Sequence, residues 1–450
     1  MSRLFGTDGV RGIANSELTP ELAFELGKAG AYVLSKETEK PLILIGMDTR
    51  ISGDMLESAI SAGIQAVGGD VIRVGVVPTP AVAFLVKYYN ADAGVMISAS
   101  HNPFEYNGIK FFNRDGFKLD DSVEDEIEDI IVRHVDVNSH ITGEKLGRSQ
   151  QAEENSVEIY SGFLKAAADI DLGGRKIVLD CANGAAYQVA EKVYRELGAK
   201  TVVIADKPNG ININLNCGST HTENLQKVVL EENAFMGMAF DGDADRLIAV
   251  DEKGNVIDGD RLICIAAGLL QKKGKLSGNV VTTTVMSNLG LHKYLEKLDI
   301  KVDVTDVGDR YVLERMRKTG CSVGGEQSGH IIFLDYTTTG DGILSSLQVL
   351  KAIIESGKTA SELAEEIEIF PQVLVNAKVK NENKEVFHKD DEVVAKIAEV
   401  EEKLAGEGRV LIRPSGTEPL VRVMIEGADS ASILAMAEEL SDLISSKFEK

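Results

Sequence analysis

Three carboxylates at alternate positions, Asp241, Asp243 and Asp245 in the segment DGDADR, stand directly after the apolar run MGMAF. Left alone, such charges repel and raise one another's pKa values. A hard divalent cation with oxygen ligands removes that conflict; the alternative is an acidic, solvated turn. An EF-hand loop is excluded, because its sixth position would be Arg246 rather than glycine and LIAV fills its middle. A second strand-end loop, SASHNP, sets Ser100 beside His101. That pair suits a nucleophile, although Ser, Asn and Pro also make ordinary capped turns. GEQSGH offers Glu326 and Ser328 at alternate positions, a spacing suited to vicinal sugar hydroxyls, or else an exposed Gly-rich loop. RPSGTE joins Arg413 to two hydroxyls and a glycine turn, and Arg422 follows on the next strand. This is a phosphate nest or a plain hairpin turn, and the GxxxxGK[ST] pattern of a P-loop is absent. GTDGVRG near the start could bring the Arg11 guanidinium to an anion. No histidines pair into a zinc pattern. Together these segments supply a metal site, a hydroxyl able to carry phosphate, a phosphate nest and a polyol clamp.

The elements that must position these loops form a repeat of pattern. PLILIGM, VIRVGVV and AGVMI alternate with helical stretches before SASHNP; KIVLD, KTVVI and MGMAF do so before DGDADR; NVVTTT, IKVDVT and SVGG do so before GEQSGH. Short apolar, β-branched runs between helices predict βα units with mixed, mostly parallel sheets. Ligands in such sheets bind beyond the carboxyl ends of the strands, so the three loops are expected over one cleft. Thr19-Pro20 predicts a helix start. After residue 370 two helices and three strands predict a small α+β domain carrying RPSGTE. The expected domains are 1–153, 154–253, 254–369 and 370–450, with a joint near Phe370-Pro371 that could let the last one close over the cleft.

The 450 residues carry a formal net charge of -23, with 44% hydrophobic and 26% charged residues. Large cores can form, and a broad nucleic-acid or anionic-membrane footprint is disfavoured. Cys181, Cys217, Cys264 and Cys321 are scattered, which suits reduced thiols. No run approaches a membrane span and MSRLFGTDGVRG has no signal-peptide core, so a cytoplasmic protein is expected.

From GTDGVRG to RPSGTEPLVRVM the chain resembles the α-D-phosphohexomutase superfamily, and Gln327 in GEQSGH resembles its phosphoglucosamine branch. The resemblance implies three similar α/β units and a C-terminal α+β domain around a central cleft. It implies that Ser100 is the phosphoserine and binds Mg²⁺ with Asp241, Asp243 and Asp245. Lys110 and His330 match candidate acid/base groups, and Arg11, His101 and Arg246 the lining of the reacting centre. Glu326, Ser328 and the loop with Gly308, Asp309 and Arg310 match sugar contacts; Arg413, Ser415, Gly416, Thr417 and Arg422 match the distal phosphate site. The implied reaction interconverts glucosamine 6-phosphate and glucosamine 1-phosphate through glucosamine 1,6-bisphosphate, with a homodimer as the suggested assembly. A mutase for mannose or glucose phosphates, a phosphomonoesterase and a non-catalytic sugar-phosphate sensor are the competing readings. One departure stands out: Ala244 occupies a place where glycine is commoner, and its Cβ could hinder a positive φ.

Overall fold

The computed structural model describes residues 3–6, 8–34, 36, 38, 40–137, 140–415 and 418–449. Two compact units emerge, residues 1–284 with 303–364, and residues 285–302 with 365–450. Among the described residues no helix is long and apolar enough to cross a membrane.

In the first unit the repeat of pattern becomes a repeat of topology. Taking the strands of each repeat in chain order, the sheet order is fourth, third, first, second in all three sheets. It reads Tyr106–Asn113, Ala93–Ile97, Leu42–Met47, Asp70–Val76 in one and Leu247–Val250, Met236–Phe240, Lys176–Asp180, Lys200–Ile204 in the next. The third reads Ile331–Phe333, Val323–Gly325, Val280–Thr284, Lys301–Thr305. In the first two sheets both neighbours of the first strand run parallel to it, and in the third Val323–Gly325 does so. In all three the fourth strand folds back antiparallel on the third. The sheets are therefore mixed, with parallel pairing at the centre and a hairpin at one edge. Val10–Ile13 and Ser149–Gln151 extend the edges of the first sheet.

All five residues of Ala93–Ile97 and of Met236–Phe240 are buried, as continuous apolar runs at the centre of such sheets should be. Helices Pro20–Leu34 and Gly53–Ala66 cover one face of the first sheet, and the core there gathers Leu26, Ile45, Ile60 and Val95. Pro20 opens its helix as expected, and the Thr19 hydroxyl accepts from Leu22 N at 3.2 Å.

The second unit has its own core. Strands Gln372–Lys378, Leu420–Glu426 and Arg409–Pro414 form an antiparallel sheet, packed by helices Asp391–Leu404 and Ser430–Phe448. Helix Leu289–Lys297 belongs to this unit. Buried Glu426 accepts from Leu289 N at 3.3 Å, and the Asn288 side chain exchanges hydrogen bonds of 2.9 and 3.0 Å with the Phe370 backbone. Pro371 O also accepts from Gly427 N at 3.1 Å. The expected joint at Phe370-Pro371 is thus pinned on both sides within one unit.

Candidate active site

The loops after the third strands of the three repeats meet. Ser100 sits at φ +52°, buried, with its N–H donating 2.9 Å to Ser98 Oγ. Arg50 donates to the carbonyls of Ser100 (3.1 Å) and Asn102 (2.6 Å) and is paired with Asp48. Asn214 donates to the same two carbonyls at 2.9 and 3.0 Å. With its carbonyl gripped from two sides, Ser100 turns its hydroxyl to the acidic loop, where Oγ donates 2.5 Å to Asp241 Oδ2. Gly242 is obligatory there, since a Cβ would stand 2.6 Å from Ser100 O.

Asp241, Asp243 and Asp245 are all buried, and one carboxylate oxygen of each lies within 4.8 Å of the others. Asp243 Oδ2 accepts from the Thr79 hydroxyl (2.6 Å) and Lys110 Nζ (2.9 Å). Burial and the neighbouring carboxylates raise Asp241 and Asp245. Burial also opposes charge on Asp243, but Lys110 and Thr79 outweigh it and hold this carboxyl low. Buried Oδ1 atoms of Asp243 and Asp245 have no hydrogen-bond partner among the described residues. Repelling, buried oxygens with free lone pairs are the donor set a hard divalent cation requires, so the residues fit Mg²⁺.

Ala244, the departure noted in the sequence, sits at φ +57° and is fully buried; its carbonyl accepts from Gly342 N at 2.9 Å. Replacing it by glycine relieves a left-handed strain of about 1–2 kcal/mol. It also loosens the unfolded chain by about 0.4–1 kcal/mol and removes a buried methyl of about 0.8 kcal/mol. Ala244→Gly is therefore expected to leave thermal stability nearly unchanged; a large loss of Tm would contradict the left-handed conformation.

Around the triad runs a network of buried and partly buried charges. Lys110, 2% exposed, also lies 2.9 Å from Asp8 Oδ2, and Asp8 pairs in turn with Arg11 and, at 2.6 Å, with Lys118. Burial opposes the Lys110 ammonium, but Asp243 and Asp8 prevail and raise it, keeping it cationic. Lys118 reaches Asp309, which stands 3.4 Å from His330 Nε2. His101 Nδ1 is 3.4 Å from Ser100 Oγ. Burial, then Arg246 and Arg11, push the His101 imidazole down to about 4, so it is neutral at pH 7. The Arg246 backbone N–H donates to Asp241 Oδ1 at 3.1 Å, and Arg246 bridges to His330.

The two expected sugar loops also touch. Glu326 accepts from Gly308 N (3.1 Å) and lies 3.5 Å from the Ser328 hydroxyl. Asp309 and Arg310 are less free than their neighbours: Arg310 donates to Asp121 (2.5 Å) and to Leu119 O (2.6 Å).

In the second unit, Arg413 and Arg422 stand directly across from each other on paired strands. Burial and then Arg422 lower the Arg413 pKa. Like charges opposite each other destabilise a sheet unless an anion joins them. Ser415 Oγ accepts from Glu418 N at 3.2 Å, and Lys384 donates to Ser415 O at 2.9 Å, adding a cation that no sequence motif indicated. Gly416 and Thr417 lie outside the described residues.

Models of the phosphoglucomutase/phosphomannomutase family match along the chain: α/β/α domain I at residues 2–136, domain II at 158–254, domain III at 258–370 and the C-terminal domain at 374–443. Phosphoglucosamine mutases of Clostridium acetobutylicum and Thermoanaerobacter pseudethanolicus are each 58% identical over 447 residues, covering 99% of this chain and 100% of theirs. The chain belongs to the phosphoglucosamine mutase family. Solved structures share the fold across the whole chain. A phosphoglucomutase/phosphomannomutase family protein of Burkholderia thailandensis matches with a TM-score of 0.78 at 23% identity, covering 97% of this chain and 96% of that one. The Aspergillus fumigatus N-acetylphosphoglucosamine mutase, solved with GlcNAc-6P and magnesium, matches with a TM-score of 0.71 at 18% identity, covering 98% and 95%. Within the family frame, the sequence reading missed Asp8, Asp48, Arg50, Thr79, Lys118 and Asn214. Two signals were available: Asp48-Thr-Arg50 and Pro78-Thr79 follow first and second strands, at the same sheet end as the recognised loops.

Proposed function

We propose that the chain interconverts glucosamine 6-phosphate and glucosamine 1-phosphate, with Ser100 as the phosphate carrier. The observation that carries this reading is the Ser100 hydroxyl, 2.5 Å from Asp241 in a buried carboxylate triad, in a chain 58% identical to phosphoglucosamine mutases. Phospho-Ser100 gives its phosphoryl group to a sugar hydroxyl: a P–O bond to the sugar forms as the bond to Ser100 Oγ breaks. The sugar hydroxyl loses a proton and Ser100 Oγ gains one, with Lys110 and His330 as the proposed proton carriers. The resulting 1,6-bisphosphate turns round and returns its other phosphate to Ser100. Mg²⁺, when bound by Asp241, Asp243, Asp245 and the Ser100 oxygen, offsets charge on the transferring group. Arg11, neutral His101 and Arg246 line the reacting centre, while Glu326 and Ser328, with the loop from Gly308 to Arg310, orient the sugar. Arg50 and Asn214 keep the carrier oxygen aimed at the triad.

The distal phosphate is assigned to Arg413, Ser415, Gly416, Thr417 and Arg422, a reading that the opposed arginines support. Because this anchor serves both orientations of the bisphosphate, Arg413→Ala is expected to raise KM for both phosphosugars. A charge-assisted hydrogen bond of about 1.5–3 kcal/mol corresponds to about 10- to 100-fold. Steady-state assays in the two directions check this, and an effect on one substrate alone would contradict a shared anchor. The proposed domains 1–153, 154–253, 254–369 and 370–450 are supported by the spans of the family models. A cytoplasmic homodimer belongs to the same reading. A coupled assay comparing glucosamine, glucose and mannose 6-phosphates tests the substrate: the amino sugar should be preferred, and equal use of all three would overturn the assignment.

A further inference from the structure

Lys118, just beyond the strand Tyr106–Asn113, belongs to none of the sequence motifs. Its side chain is 10% exposed, and its ammonium lies 2.6 Å from Asp8 Oδ1 and against Asp309 Oδ2. Each carboxylate also serves another group. The second oxygen of Asp8 is 2.9 Å from Lys110 and contacts Arg11, whereas Asp309 Oδ2 is 3.4 Å from His330 Nε2. Charges of alternating sign thus run from Asp243 through Lys110, Asp8 and Lys118 to Asp309, whose Oδ2 faces His330 Nε2, and Lys118 joins the two carboxylates Asp8 and Asp309.

The segments joined in this way are remote in sequence. Asp8 comes from the N-terminal glycine-rich loop and Lys118 from the hairpin of the first repeat. Asp309 opens the helix Asp309–Thr319 of the third. Next to Asp309, Gly308 adopts φ +137° and donates its N–H to Glu326. The position of Asp309 is therefore tied to the loop that carries the proposed sugar clamp. A lysine between two partly buried carboxylates is a weak stability device, because the desolvation of three charges offsets much of their attraction. What the arrangement does provide is a fixed distance between Asp8 and Asp309.

We propose that Lys118 is a positioning residue: by holding Asp8 and Asp309 apart at a set distance, it fixes how Lys110 and His330 present their nitrogens. This rests on the reading above, in which those two groups carry the protons. Among the described residues Lys118 makes no ion pair with Asp241, Asp243 or Asp245, so its effect on metal binding should be small.

The test compares Lys118→Met with Lys118→Arg in the full-length protein, using glucosamine 6-phosphate and Mg²⁺. The amount of folded protein is fixed by circular dichroism at the assay temperature. A misplacement of about 1 Å costs about 100-fold in rate, so kcat per folded molecule of Lys118→Met is expected to fall by about that factor. The Mg²⁺ midpoint should stay close to wild type, KM should rise by much less than kcat falls, and Lys118→Arg, which keeps the cation, should recover most of the turnover. A merely structural lysine predicts instead that kcat per folded molecule is unchanged, and that result overturns the proposal. Equal losses in Met and Arg variants overturn it too. Should Lys118→Met not fold, Lys118→Gln keeps an amide donor and is judged by the same split between kcat and KM. Wild-type turnover with an unaffected variant sinks only the positioning role. Absent wild-type turnover sinks the reading beneath it, and this proposal with it.

Discussion

Ser100→Ala is expected to lower mutase turnover by several orders of magnitude while the protein stays folded and still binds its phosphosugar. The reason is geometric. Arg50 and Asn214 fix the Ser100 carbonyl, and its hydroxyl is thereby set 2.5 Å from Asp241. The other serine of the loop cannot take over, because Ser98 Oγ is already the acceptor for the Ser100 N–H at 2.9 Å. Removing a group that forms the covalent intermediate stops the chemistry rather than slowing one step of it. The structural cost should be modest: one hydrogen bond to Asp241, about 1 kcal/mol net, with the backbone still held by its two clamps. Steady-state turnover alongside calorimetric titration with glucosamine 6-phosphate checks both halves of this expectation. Normal turnover would remove Ser100 from the role.

Asp243→Asn should separate metal binding from folding. Asp243 is the triad member held low, by Lys110 and Thr79 against the cost of burial, and it contributes to the raised pKa values of Asp241 and Asp245. A carboxyl depressed in the folded state stabilises the fold above its unfolded pKa and loses that contribution as pH falls. At neutral pH the variant therefore forfeits the attraction to Lys110 and at the same time relieves repulsion on two neighbours. These changes oppose each other, so Tm without metal should move little. With metal the balance shifts, because a cation that binds only the folded state raises Tm by an amount that grows with the logarithm of its affinity. The Mg²⁺-induced rise in Tm should shrink sharply in Asp243→Asn, and turnover should need far more Mg²⁺. An unchanged metal-dependent Tm would take Asp243 out of the site.

How much of this could be read beforehand depended on whether the signal was local. Strand-end polar loops are local, and so DGDADR, SASHNP and GEQSGH, together with the rhythm of strands behind them, were legible as chemistry on a βα scaffold. The positive φ of Ala244 was legible too, as a departure from a glycine-rich pattern. The supporting groups were not, because a lone polar residue acquires its role from a partner far along the chain. Thr79 meets Asp243 across 164 residues, and Lys118 meets Asp309 across 191. The clasp on Phe370 was hidden for the same reason, because Asn288, whose side chain holds the Phe370 backbone, lies 82 residues earlier. Asp8 lies inside the glycine-rich GTDGVRG segment, where Arg11 is the evident anion ligand. Its partners Lys110 and Lys118 make Asp8 the more connected of the two.

The most direct measurement is a label-transfer experiment with protein carrying ³²P on Ser100, mixed with excess glucosamine 6-phosphate and Mg²⁺ and followed through successive turnovers. Label should leave the protein and appear in the bisphosphate and monophosphate of the amino sugar. Label released as inorganic phosphate, or retained on Ser100 through many turnovers, would contradict the role of Ser100 as a carrier that both gives and receives.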